Sequence, residues 1–197
     1  MAEPTKAEIR KAALAARRGL SKAALLKLSG AVARIVVSSP EYRRANVVAT
    51  YVAKSDEVQT EAIIRRTLEG GRRVLVPVAS PSGRSLVFSE IRSLDELASG
   101  SFGVPEPRVG MVRPVPIEEA GLTLVPLVAW DDGGRRLGYG KGYFDSALAR
   151  AGASNFTMGL GLELQHVRAV PAESHDVTLM AVATESRIVR FRNGGGA

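Results

Sequence analysis

A chain of 197 residues, 45% hydrophobic and 24% charged, can bury one substantial core, and one domain is expected over residues 1–192 with 193–197 as a disordered tail. No apolar run approaches the ~20 residues of a membrane span and the N-terminus is charged and helix-like, so neither a span nor a signal peptide is expected and a cytoplasmic protein is. Absent cysteine, only two histidines, a net charge of +7 and 5% aromatic residues remove thiolate chemistry, argue against a histidine-rich zinc site, and point to an anionic partner without the aromatic interleaving of a single-strand nucleic-acid platform.

Three helices are predicted first. Thr5 followed by Glu8 is a reciprocal N-cap pattern, and Ile9, Ala12, Ala13, Ala16 and Leu20 recur at helical spacing, so the first helix runs to about Gly19. Lys6 and Arg10 share one face of it and are expected to lack an acidic partner, as in a solvated face or an anion-facing pair. Ser21 can cap a second helix to about Val37, with Leu25, Leu28, Val32, Ile35 and Val36 as its buried stripe, and Ser39-Pro40 opens a short third.

Val47 to Val52 reads as a strand that empties into Ala53-Lys54-Ser55-Asp56-Glu57. Open α/β sheets bind ligands at such strand ends, which makes Asp56 and Glu57 candidates, although acids before a helix are also ordinary dipole partners. Thr60 to Glu69 is predicted helix, ended by Gly70-Gly71. Val74 to Val78 is a strand, Pro81-Ser82-Gly83 a turn, Leu86 to Ser89 a strand, and Ser93-x-x-Glu96 the start of a short helix ending at Gly100. Phe102 to Pro116, rich in proline and glycine, is expected to be an irregular connection whose stiff part, Phe102 to Pro107, can line a cleft.

Leu122 to Ala129 reads as the central strand. After Trp130 come a turn at Asp131-Asp132-Gly133-Gly134, the cations Arg135 and Arg136, and Gly138, Gly140 and Gly142 alternating around Tyr139 and Lys141. Bare glycines can turn left-handed and bring successive N–H groups to an anion, beside Arg135, Arg136 and Lys141; a helix-like run from Tyr143 to Arg150 follows, with Asp145 in its first turn. The spacing matches neither a Walker loop, since Lys141 precedes Gly142, nor the dinucleotide fingerprint, whose third glycine would be Tyr143. A glycine-rich surface turn with solvated arginines explains the same residues. Phe156 to Leu162 and Met180 to Ala183 are late strands, with a loop from Val170 to Asp176 between them. The alternation, without repeats, predicts an α/β fold: a three-layer α/β/α sandwich around a mostly parallel central sheet.

In order and spacing these blocks resemble the 5-formyltetrahydrofolate cyclo-ligase family across nearly the whole chain. The most specific is Arg136 to Asp145, supported by Asp56 to Thr60, by Phe102 to Pro107, and by Pro171 to Asp176 with Ala183-Thr184-Glu185. The resemblance implies ATP-dependent closure of 5-formyltetrahydrofolate to 5,10-methenyltetrahydrofolate with release of ADP and phosphate, through phosphorylation of the formyl oxygen. It assigns Lys6, Arg10, Arg136, Leu137, Gly138, Gly140, Lys141, Gly142, Tyr143 and Asp145 to ATP, with Lys141 and Arg136 at the transferring phosphate. Val52, Glu57, Tyr139, Gly140, Lys141, Gly142 and Tyr143 are assigned to the folate, and Asp145 and Asp176 to Mg2+. Met180 stands where the family usually has an acid, and Ser146 where an arginine is common; Trp130 and His166 read as core or pocket wall. A monomer acting on ATP and folate is expected, with nucleic acid unsupported by any motif. Two rivals stay open: a kinase of another small acceptor, and a non-catalytic basic protein binding nucleotide or nucleic acid on the same fold.

Overall fold

The computed structural model describes residues 3–79, 86–100, 103–152, 154–173 and 176–191. The expected turn at 81–83, Phe102, His175 and the tail at 193–197 lie outside the described residues. In chain order the elements are α1 (Lys6–Arg18), α2 (Lys22–Ser38), α3 (Pro40–Arg44), β1 (Val47–Thr50), α4 (Glu61–Glu69), β2 (Arg73–Ala79), β3 (Leu86–Ile91), β4 (Leu97–Ser99), β5 (Pro105–Pro107), β6 (Leu122–Pro126), β7 (Ala129–Trp130), β8 (Arg136–Leu137), α5 (Tyr143–Leu148), β9 (Phe156–Leu160), β10 (Ala181–Ala183) and β11 (Ile188–Arg190).

Among the described residues, seven strands form one sheet in the order β11-β10-β9-β6-β1-β2-β3. β2, β1, β6, β9 and β10 run parallel, and the antiparallel β3 and β11 close the two edges. Alternation along the strands sorts the core by face. Val48, Leu122, Leu124, Met158, Leu160, Ala181 and Ala183 face Leu25, Val32, Ala33 and Val36 of α2 and Ile63 of α4. Their strand neighbours Val47, Ala49, Val125 and Val182 point the other way, toward Ala147 and Leu148 of α5. On that second face Gly159 is forced by space: a Cβ there would sit 2.6 Å from Leu179 Cδ1 and 2.7 Å from Leu127 Cδ2.

The helix ends follow the sequence. Thr5 and Glu8 complete the reciprocal cap of α1, Ser21 accepts from the Ala24 N–H at 3.1 Å, and Ser39 caps α3 ahead of Pro40. Thr60 departs from expectation: its hydroxyl donates to the Tyr51 carbonyl at 2.8 Å, tying α4 to the end of β1, and makes no cap bond. The buried stripe of α2 also turns, to Leu25, Ser29, Val32, Ala33 and Val36, because the Ser29 hydroxyl accepts the Gln59 N–H at 3.0 Å.

Other boundaries are corrected. The helix expected from Ser93 to Gly100 is one short turn, Leu94–Glu96, after which β4 pairs with β5, so the proline-rich connection is partly a two-stranded ribbon. The pairing leaves no room for a side chain at Gly100, where a Cβ would lie 2.7 Å from Glu106 Cβ. The central strand ends at Pro126, and Ala129-Trp130 instead pairs with Arg136-Leu137. α1 covers neither sheet face; Ile9 and Ala13 pack on Val128, Ala129 and Leu137 of that ribbon and on Val170. The strand Ile188–Arg190, three residues long, is too short to announce itself in the sequence.

Candidate active site

The parallel strands β1, β2 and β6 end at a common edge, where the chain must leave the sheet and backbone groups are free to meet a ligand. A cavity of about 360 Å³ opens there. Its walls are the start of α1, the 51–57 loop, the ends of β2 and β6, the 104–106 segment, the run from Arg136 to Asp145, and the acids Glu173 and Asp176. Every residue that the family resemblance assigned to ATP, folate or metal lies on this one wall, although Lys6 and Asp176 are 170 positions apart.

One end is acidic and aromatic. Glu57 is only 6% exposed, and its carboxylate accepts the Lys54 N–H at 2.8 Å. The Gln59 amide donates to the Lys54 and Glu57 carbonyls, both at 2.7 Å, so the loop is pinned by its own side chain. Burial raises the Glu57 carboxyl above its usual range, against the Lys54 N–H, the Tyr139 hydroxyl and the Arg17 charge. Burial and the Glu57 charge push the Tyr139 phenol up to about 12, in spite of Arg17. Asp56, the other candidate acid, is bound 3.0 Å from the Arg17 guanidinium and does not line the cavity.

The other end is cationic. Arg136 is 8% exposed, pairs with Asp145 at 2.7 Å and donates to the Val177 carbonyl; Asp145 also accepts the Val177 N–H at 3.2 Å. Burial lowers the Arg136 guanidinium, opposed by the charges of Asp145 and Asp176. Lys6 corrects the expectation of an unpartnered cation: its Nζ lies 2.7 Å from Asp176 and 2.9 Å from Glu173. Arg10 donates from Nε to the Gly138 carbonyl at 2.9 Å and so props the glycine loop. Gly140 (φ 91°) and Gly142 (φ 67°) are left-handed; Gly138 is not. Lys141 reaches the wall beside Tyr143, its Nζ 5.8 Å from that ring, whereas Arg135 is exposed and away from the cavity.

Val104 and Glu106 line the cavity, as expected of the stiff 102–107 segment; among residues not singled out, Lys54 and Glu173 join the wall and Arg17 lies behind it. A signal for Arg17 existed: Lys6, Arg10 and Arg17 fall four and seven residues apart and therefore on one helix face. Asp131 has a scaffold role, its carboxylate accepting the N–H groups of Gly133, Arg135 and Val170. Trp130 is fully buried with its ring 4.5 Å from that of His166, which contacts Asp132 at 3.0 Å. Trp130 is core, His166 half-buried beside it, and neither lines the cavity.

A mostly parallel sheet with a cleft at its strand ends, lined by cations paired with acids and by the buried Glu57, is the arrangement of an α/β enzyme. The family description "5-formyltetrahydrofolate cyclo-ligase family" matches residues 2–185. The chain belongs to the 5-formyltetrahydrofolate cyclo-ligase family and is a ligase, which sets aside the non-catalytic rival. It is 28% identical over 174 residues to the 5-formyltetrahydrofolate cyclo-ligase of Escherichia coli K12, covering 87% of this chain and 96% of that one. To the cyclo-ligase of Mycolicibacterium smegmatis it is 34% identical over 150 residues, 74% of this chain and 77% of the other. The solved 5,10-methenyltetrahydrofolate synthetase of Aquifex aeolicus superimposes with a TM-score of 0.84 at 29% identity, covering 98% and 95% of the two chains.

Proposed function

We propose that this chain catalyses the ATP-dependent cyclisation of 5-formyltetrahydrofolate to 5,10-methenyltetrahydrofolate, releasing ADP and phosphate. The observation that carries the reading is one cavity with a cation-lined end (Lys6, Arg10, Arg136, Lys141) and a buried acid, Glu57, at the other. The formyl oxygen attacks the γ-phosphorus and ADP leaves. N10 then attacks the activated carbon and forms the new C–N bond, the N10 proton departs, and the C–O bond breaks to release phosphate. No step needs a protein nucleophile, and the chain has no cysteine to offer one. What the reaction asks of the protein is alignment and charge neutralisation. Lys141 and Arg136 serve the transferring phosphoryl group, Lys6 and Arg10 the rest of the triphosphate, with amides of the Leu137 to Tyr143 loop. Val52 and Tyr139 bound the folate, and Glu57 suits the donor edge of a pterin because a carboxylate accepts two parallel hydrogen bonds.

Mg2+ fits the donor set: Asp145 and Asp176 both act on Arg136 at the cationic end, and this ion is commonly held by one or two carboxylates with phosphate and water oxygens completing its shell. It would supply further neutralisation of the phosphates there. The test is the methenyltetrahydrofolate absorbance that develops with ATP, Mg2+ and 5-formyltetrahydrofolate. A protein that stays inert with all three, yet binds ATP, overturns the reading.

A further inference from the structure

We infer that Arg17 is a positioning residue for the folate side of the site: its guanidinium clamps the Tyr139 hydroxyl and the Asp56 carboxylate to the end of β6, fixing the Tyr139 ring at the cavity wall. The inference rests on the folate reading of that end of the cavity. Arg17 is 2% exposed and is not itself on the wall. Its Nη2 lies 2.6 Å from the Tyr139 hydroxyl and 3.0 Å from Asp56 Oδ2, and its Nη1 donates to the Leu127 carbonyl at 3.3 Å. One side chain thus joins α1, the acid loop, the exit of the central strand and the glycine loop.

Tyr139 needs such a tether. It sits between Gly138 and Gly140, and its own backbone neighbours offer no side chain to hold it. A Cβ at Gly138 would meet nothing within 4 Å. The ring is flanked instead by cations, Lys54 Nζ at 4.8 Å and Arg17 Cζ at 5.9 Å from its centroid. Stability alone is a poor account of Arg17. Burying a guanidinium is costly, its Nε has no hydrogen-bond partner, and an apolar residue in such a position often serves stability as well or better. A planar fork that reaches three acceptors in three segments is what arginine offers and lysine does not.

The experiment is a double-mutant cycle on the full chain with Arg17→Met, Tyr139→Phe and both together, reading calorimetric Kd values for 5-formyltetrahydrofolate and for ATP. Each single change should weaken folate binding about tenfold while ATP stays within about twofold, and the double variant should be no weaker than the worse single. If Arg17→Met does not fold, Arg17→Lys takes its place in the cycle, since it keeps the charge and loses the fork. Multiplicative losses, equal losses for both ligands, or unchanged folate binding overturn the inference. Because binding is read directly, a wild type that binds folate without turning it over refutes the reaction and leaves the cycle decisive, and a wild type that binds no folate refutes both.

Discussion

Glu57 is the residue where binding and stability pull apart. Glu57→Gln replaces an acceptor by a donor in a buried position, and 5-formyltetrahydrofolate affinity should fall by about 1–3 kcal/mol while ATP affinity holds; titrations showing equal loss for both would remove Glu57 from the folate. Its raised carboxyl gives the opposite sign for the fold. A group raised above its unfolded value contributes stability that is fully present below that value, 4.5, and lost as the pH climbs through the folded value. The ligand-free Glu57→Gln protein should therefore melt higher than wild type at pH 7, by about 2–4 °C if the gain is on the order of 1 kcal/mol. The advantage should vanish near pH 4, and an advantage that persists there sinks the assignment of burial as its cause. At the cationic end of the cavity, Lys141→Met keeps the stem and deletes the charge, so on the proposed reading turnover should drop more than ATP affinity. Asp145→Asn weakens an oxygen ligand and should be partly rescued by raised Mg2+, which Lys141→Met should not be; identical magnesium titrations for the two would refute the division of roles.

At the scale of elements, the glycine loop and α1 form one unit, because Arg10 holds the Gly138 carbonyl and lies against Gly140. A Cβ at Gly140 would make ordinary contact with Arg10 Nη2 at 3.4 Å but would sit at a φ of 91°, where a side chain is strained, while Gly138 has open space. Gly140→Ala should cost about 1–2 kcal/mol in transition-state binding and Gly138→Ala little, measured as kcat/KM; equal losses would mean the loop is not held as described. Arg10→Ala should raise the KM for ATP and loosen the same loop, visible as faster amide exchange at Gly138 to Gly142. These elements were largely legible in the sequence, since caps and periodicity are local: Thr5 with Glu8, Ser21, and the apolar run of β6 all announce themselves. What escaped depends on partners far along the chain. Lys6 finds Asp176, Arg17 is buried by loops from positions 56 and 139, and β4 exists only because Pro105–Pro107 returns to it. Spacing within α1 puts Arg17 on the face of Lys6 and Arg10, but nothing local names the loops that bury it.

Across the whole molecule, the sheet sets the ligand edge and the chain termini of its strands dress it. The four parallel strand pairings put the exit loops of β1, β2, β6 and β9 on one rim, while the antiparallel β3 and β11 close the two edges of the sheet. The chain carries a net charge of +7, yet Lys6 and Arg136 on this rim are paired with acids and Arg10 is bound to a carbonyl, so ATP affinity should respond far less steeply to salt than polyanion binding does. The bond from Lys6 to Asp176 has one more consequence. As the chain emerges from the ribosome, α1 is made well before its seat, which is shared between residues 128–137 and 163–170. The apolar face of Ile9 and Ala13 must wait for both segments, and the Lys6–Asp176 pair cannot form until residue 176 has been made. A nascent chain stalled at residue 150 therefore lacks part of the seat of α1 and the partner of Lys6, and should bind neither ligand, however much of its sheet has formed.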